Sequence, residues 1–149
     1  MASWEADQAA LHALVATYCI CADNGDCDRF GSLFTADAVI VSPAATLTGI
    51  EQIRPIPDIL RQMFVRTLHT LVDLDVTGLE GDSATGVTRS FAHHVERAAD
   101  GRHSIDKWMS RYLDRFTRQD GTWKIAYREQ IVDWTERVAI TPGPGLTRG

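Results

Sequence analysis

The chain has 149 residues, a net charge of −5, 44% apolar and 23% charged residues, the make-up of one globular domain large enough to build a core without disulfides or metal. Its acidity and the lack of any basic run exclude nucleic acid as the main partner, since phosphate binding needs a basic face. Three cysteines at 19, 21 and 27 are odd in number and clustered, which excludes a disulfide framework and fits a reducing cytoplasm.

Cys19 and Cys21 lie two apart on a helix and point in different directions, so no zinc site is expected. The opening stretch MASWEADQAALHALV has acidic residues and no basic region ahead of its apolar part, unlike a signal peptide. No apolar run approaches the ~18 residues that span a membrane.

Leu11, Leu14, Val15, Tyr18 and Ala22 recur at helical spacing and predict one amphipathic helix. Ser3 is its candidate cap, and Asn24-Gly25 ends it. A short helix over about 27–34 follows, with Asp26 as cap and Phe30, Leu33 and Phe34 as its apolar face. Residues 39–42 read as a strand, with Leu47-Thr48 returning beside it and Gly49 ending the return. Residues 50–64 read as a third helical segment, irregular at its start because Pro55 and Pro57 interrupt it. Then come four long strands, at about 68–79, 83–97, 104–118 and 123–138. Tight turns at Glu80-Gly81-Asp82, Asp100-Gly101 and Gln119-Asp120-Gly121 separate them. The sequence thus predicts a single domain over 1–149, with a core of about 4–138 and a Pro/Gly-rich tail at 139–149. Its class is α+β: three N-terminal helices packed on a curved, mostly antiparallel sheet that encloses an apolar cavity.

Pairing Leu79 with Ser83 sets a register that places His69 opposite His93, Leu71 opposite Phe91 and Asp73 opposite Arg89, all on one face. A one-residue slip or a bulge exchanges His93 for His94. On the last strand Arg128, Gln130 and Val132 point one way and Tyr127 and Glu129 the other. With Ala126, Arg128 and Val132 inward, a guanidinium enters an apolar space and needs a partner or an anionic ligand. Tyr18 lies mid-stripe on the first helix. Asp23 lies about 140° around the wheel from it, in the last turn, where the helix dipole disfavours a carboxylate. A carboxylate at such a place is a candidate catalytic group. Singly, each residue also has a structural use: Tyr18 as a core tyrosine, Asp23 as a turn residue, Arg128 as a partner of Asp133, and Trp108, Tyr112, Trp123 and Trp134 as packing groups.

Taken in order, Tyr18, Asp23, Gly25-Asp26-Cys27-Asp28, Phe34, His69, Gly81-Asp82-Ser83-Ala84 and Asp120-Gly121-Thr122-Trp123-Lys124-Ile125 leading to Arg128 resemble the SnoaL-like branch of the NTF2-like superfamily. The resemblance runs from about Leu11 to Trp134 and is similar to enzymes of the scytalone dehydratase, bile-acid dehydratase and hexachlorocyclohexane dehydrochlorinase kind. In the dehydrochlorinase the pocket holds a lysine, an aspartate, a histidine and an arginine, at the places of Tyr18, Asp23, His69 and Arg128 here. Tyrosine in the lysine's place leans toward the bile-acid dehydratase pattern. The resemblance implies a cone-like fold, no cofactor, and a homodimer or homotrimer; since both faces of the hairpin are partly apolar, the face away from the cavity is expected to be where a second subunit meets the sheet.

The expected activity is that of a cofactor-free lyase or isomerase acting on a small hydrophobic hydroxy-carbonyl compound. Tyr18, Asp23, His69 and Arg128 are the candidate catalytic residues, and His93, His94, Phe91, Leu71 and Tyr112 are candidates for substrate contact. The alternatives are a non-catalytic small-molecule-binding domain and an accessory subunit resembling the dioxygenase β-subunit.

Overall fold

A computed structural model describes residues 3–146. The first helix, α1 (Trp4–Asn24), starts at Ser3, whose hydroxyl accepts from the Ala6 N–H. It ends at Gly25, whose left-handed φ of 69° returns the Gly25 N–H to the Cys21 carbonyl. Leu11, Leu14, Val15, Tyr18 and Ala22 are all buried along it, so the expected stripe is the core face. α2 (Cys27–Ser32) is capped by the Asp26 carboxylate, which accepts from the Arg29 N–H. This helix is shorter than its apolar pattern suggests: Phe34 already begins β1 (Phe34–Val41). β2 (Thr46–Thr48) folds back on β1. The third helical segment is split by Pro55 into α3 (Ile50–Ile53) and α4 (Ile56–Met63), because proline lacks the N–H that would continue a helix.

Four long strands follow: β3 (Arg66–Glu80), β4 (Ser83–Arg97), β5 (His103–Gln119) and β6 (Thr122–Ile140). The sheet order is β2-β1-β6-β5-β4-β3. All pairings are antiparallel except β1 with β6. β2 and β3 are edges, so the sheet curves without closing into a barrel. Asp120 and Gly121 both have positive φ, 50° and 78°, the conformation a two-residue hairpin turn requires. β6 runs two residues past the expected end of the core, and a short 3₁₀ turn at Pro144–Leu146 follows. The last three residues of the expected tail lie outside the described residues.

The core lies between α1 and the concave face of the sheet, where Leu11, Val15, Phe30, Phe34, Phe116 and Ile125 are buried together. A polar clamp fixes the start of α1 over it. Asp7 accepts from Arg118 Nη1 at 2.6 Å and from Trp123 Nε1 at 2.8 Å, while Arg118 Nε also donates to Asp82 at 2.8 Å. The helix is thereby tied to the turn ends of the β3–β4 and β5–β6 hairpins. No helix among the described residues is long and apolar enough to cross a membrane.

The register of β3 on β4 differs from the expected one. Asp73 does face Arg89, but His69 pairs with Ala92, Leu71 with Ser90, and His93 with Leu68. Irregularities between Leu71 and Asp73 and between Val76 and Gly78 are the cause; each adds a residue to β3 and reverses the faces beyond it. The concave face therefore receives Thr67, His69 and Leu71 from β3 and Ser90, Ala92 and His94 from β4. Phe91, His93, Asp73 and Arg89 lie on the convex face.

Candidate active site

Asp23 closes the last turn of α1 beside the first residues of β3. Its carboxylate takes three hydrogen bonds from that strand. Thr67 Oγ1 donates to Oδ1 at 2.8 Å, the His69 backbone N–H to Oδ2 at 2.7 Å, and His69 Nδ1 lies 2.6 Å from Oδ1. The helix end disfavours a carboxylate, and the donors of β3 offset that. An ionised carboxylate only accepts, so in contact with one Nδ1 is the donor and Nε2 is left as the acceptor. The two side chains are largely but not wholly enclosed. They border an open cleft of about 790 Å³ whose walls include Ile20, Leu60, Arg61, Phe64, Val65 and Leu68.

His94 stands behind His69, with ring centroids 5.7 Å apart. Phe64 stacks on it at 4.5 Å and Trp108 meets it edge-on at 5.5 Å. It is 6% exposed, and its Nδ1 has no hydrogen-bond partner among the described residues. Burial, reinforced by the neighbouring His69, lowers its pKa to about 4, against the pull of Asp106 and Asp23. His94 is thus a neutral imidazole across the ordinary pH range.

The second half of the expected set lies deeper. Arg128 reaches Asp114 through two hydrogen bonds, Nε–Oδ1 at 2.8 Å and Nη2–Oδ2 at 2.7 Å. Thr88 Oγ1 donates to Asp114 Oδ2 at 2.6 Å. The guanidinium is held between two aromatic rings, 4.4 Å from the centroid of Tyr18 and 4.5 Å from that of Tyr112. Burial works against the Arg128 charge, and the field and hydrogen bonds of Asp114 outweigh it, so its pKa is raised. Burial likewise raises the phenols of Tyr18 and Tyr112, against the opposing charge of Arg128. Both tyrosines are therefore protonated donors. Cys19, on the same turn of α1, feels both Arg128 and Asp23, but burial dominates and pushes its thiol up to about 11. It is not a reactive thiolate at neutral pH.

Asp23 and His69 are thus in direct contact, and Tyr18, Tyr112 and Arg128 form one buried stack. Leu71 packs beside the core, and His94 joins the His69 side. Phe91 and His93 do not reach this side. They lie with Lys107, Met109, Trp134 and Glu136 around a separate shallow depression on the convex face, a correction that follows from the bulges in β3. The sequence reading named neither Thr67 nor Asp114. Thr67 sits two residues before His69 and so shares its face, a signal that was available. Asp114 was hidden, because the irregularity between Arg115 and Phe116 brings it opposite Arg128 only after a one-residue shift.

A helix-backed open cone, with an acid–histidine pair where the first helix meets the sheet, defines a chain of the NTF2-like fold. It belongs to the SnoaL-like domain family, whose model matches residues 5–129. A variant of Rv3472, a protein of unknown function from Mycobacterium tuberculosis, is 30% identical over 81% of this chain and 68% of its own, with a TM-score of 0.70. A hexachlorocyclohexane dehydrochlorinase, LinA type 2, is 20% identical over 95% of this chain and 96% of its own, with a TM-score of 0.82. A protein from Novosphingobium aromaticivorans provisionally named a scytalone dehydratase is 18% identical over 96% of this chain and 95% of its own, with a TM-score of 0.77. These last two likenesses establish the shared fold. No curated protein matches the chain.

Proposed function

We propose that this chain is a cofactor-free acid–base enzyme, a lyase of the dehydratase kind or an isomerase, acting on a small hydrophobic hydroxy-carbonyl compound. The observation that carries the reading is the Asp23–His69 contact at the wall of an open, largely apolar cleft. In the elimination, His69 Nε2 takes the proton α to the carbonyl, and Asp23 holds the ring in that tautomer and stabilises the imidazolium that forms. The C–H pair moves into the new double bond as the β C–O bond breaks, and the His69 imidazolium passes its proton to the leaving hydroxyl, which departs as water and leaves the base neutral again. In the isomerase variant the same proton returns to another carbon. Tyr18 is assigned the hydrogen bond to the developing oxyanion. Because Arg128 already pairs with Asp114, its part is to orient Tyr18 and to polarise its hydroxyl rather than to bind a substrate carboxylate. His94, Leu71 and Tyr112 are assigned to the wall that meets the substrate body.

A panel of hydroxy-ketones and hydroxyacyl thioesters, followed by absorbance of the conjugated product, tests the reading. His69→Gln and Asp23→Asn are expected to lower the rate by roughly 10²–10⁴-fold, the usual worth of a positioned base. A folded His69→Gln protein that turns over at the wild-type rate, with the wild-type pH profile, refutes it.

We also infer that the convex face meets a second copy of the chain. Trp134 is 59% exposed and Phe91 39% exposed there, and a contiguous apolar sheet face usually marks an interface. The same face supports the alternative of an accessory subunit. A large partner recruited there in place of a homo-oligomer would favour that alternative.

A further inference from the structure

The cleft in front of His69 is apolar on most of its wall, yet it carries a cation that no carboxylate among the described residues pairs with. Arg54, Arg89, Arg102, Arg111, Arg118, Arg128 and Arg137 each form an ion pair with an Asp or Glu. Among the described residues Arg61 forms none, as do Arg29, Arg97 and Arg115; what sets Arg61 apart from those three is its place in the cleft. It donates to a backbone carbonyl, that of Asn24, and lines the same cleft as Asp23 and His69. Its position is built into the backbone. Gly25 has φ of 69°, and a Cβ there would collide with the Arg61 guanidinium, so the glycine leaves the space in which the cation lies. The one carboxylate among the cleft residues, Asp23, is engaged with Thr67 and His69. Arg66 contributes a second cationic side chain to the lining, beside the exposed apolar side chains of Ile20, Val65 and Leu68.

In a chain of net charge −5, an organic anion needs a local cation to enter, and this cleft supplies one in the same lining as His69. We propose that the substrate is an amphiphilic monoanion: an apolar body that reaches His69 and carries one carboxylate, or an equivalent group, held by Arg61. This deepens the reading above and rests on its placing of the reacting centre at His69. Arg61 also covers the last carbonyls of α1, a favourable place for a cation in its own right. The test must therefore separate ligand recognition from packing.

Two fluorescent probes share one ring system. 8-Anilinonaphthalene-1-sulfonate is anionic, and N-phenyl-1-naphthylamine is neutral. Both are titrated against the full chain and against Arg61→Gln, Arg61→Lys and the convex-face variant Trp134→Ser. The expected result is an approximately fivefold loss of affinity for the sulfonate in Arg61→Gln, the scale of one partly exposed ion pair. Affinity for the neutral probe stays unchanged, and Arg61→Lys restores most of the loss. Trp134→Ser changes neither titration. Equal weakening of both probes in Arg61→Gln overturns the proposal, because it makes Arg61 a packing residue. No change in either probe overturns it too, as does a sulfonate signal abolished by Trp134→Ser. Retained binding of the neutral probe shows that Arg61→Gln is folded. A failure here beside a large His69→Gln effect on turnover removes only the anionic group from the substrate class, whereas a silent His69→Gln with intact probe selectivity removes the base.

Discussion

Asp114→Asn replaces one oxygen by an amide in a side chain that is completely buried, opposite an Arg128 side chain that is 1% exposed. The variant keeps the shape and removes the charge that balances the guanidinium. Arg128 cannot shed its proton at any ordinary pH and has no path to water, so the folded state must hold an uncompensated cation between two tyrosine rings. Breaking a buried pair in this way costs about 3–5 kcal/mol. At the roughly 2–4 °C per kcal/mol typical of a domain this size, the melting temperature falls by roughly 10–15 °C. The chain contains its own control. Arg111 and Asp133 make the same two-pronged contact, at 2.7 Å for both bonds, but their side chains are 42% and 25% exposed. Asp133→Asn is expected to cost far less than Asp114→Asn, because a solvent-screened surface pair contributes little. Urea unfolding of the two variants, followed by circular dichroism, gives both numbers under one set of conditions. A double variant, Asp114→Leu with Arg128→Met, should recover most of the loss, because it removes both charges and fills the space with apolar atoms. If Asp114→Asn costs no more than Asp133→Asn, water or a second anion reaches Arg128, and the assignment of that guanidinium to a closed structural pair is wrong.

The lowered pKa of His94 fixes a pH dependence. The unfolded chain binds a proton at this residue near 6.5, while the folded chain resists it until about 4. The stability tied to neutral His94 is therefore present above 6.5 and is lost as pH falls toward 4. Between pH 7 and 5 the loss is about 2 kcal/mol; denaturant titrations at the two pH values should show it in the wild type and a smaller slope in His94→Phe. Gly25→Ala should cost at least about 1 kcal/mol, because it combines a left-handed φ with a clash against Arg61. An unchanged melting temperature would mean that the α1 terminus does not hold this geometry in solution. Trp134→Glu should shift the sedimentation profile toward monomer at micromolar concentration, and a wild type that sediments as a monomer at the same concentration refutes the convex-face interface.

Much of the fold was legible because its signals are local. The stripe Leu11, Leu14, Val15, Tyr18, Ala22, the stop at Asn24-Gly25 and the turns at Gly81-Asp82 and Asp120-Gly121 each depend on a few neighbouring residues, and each stands where the pattern puts it. Two boundaries moved for local reasons that the periodicity could not resolve. Phe34 fits the apolar face of a short helix as well as the first position of a strand, and Pro55 divides one helical segment into two. Register was legible only where no residue is inserted. The stretch from Asp73 to Val76 pairs with Arg89 to Gly86 as a regular hairpin would. Beyond the irregularities on either side, a side chain's face depends on a bulge that no sequence spacing announces, which is why His93 and His94 exchange places.

The pairing of Asp23 with His69 was expected from the family resemblance and not from register, since the bulges in β3 moved the partner of His69 from His93 to Ala92; the setting of Arg128 against Asp114 was not expected at all. Arg128 lies past the irregularity at Ala126, and its partner comes from across that defect. The energetic consequence separates the two halves of the site. Arg128 and Asp114 cancel as net charge, so Tyr18 faces a closed, buried ion pair. Asp23 and His69 border the cleft. In the function proposed above, proton transfer falls at the helix–strand junction, and the buried stack beneath it is the part assigned to orientation.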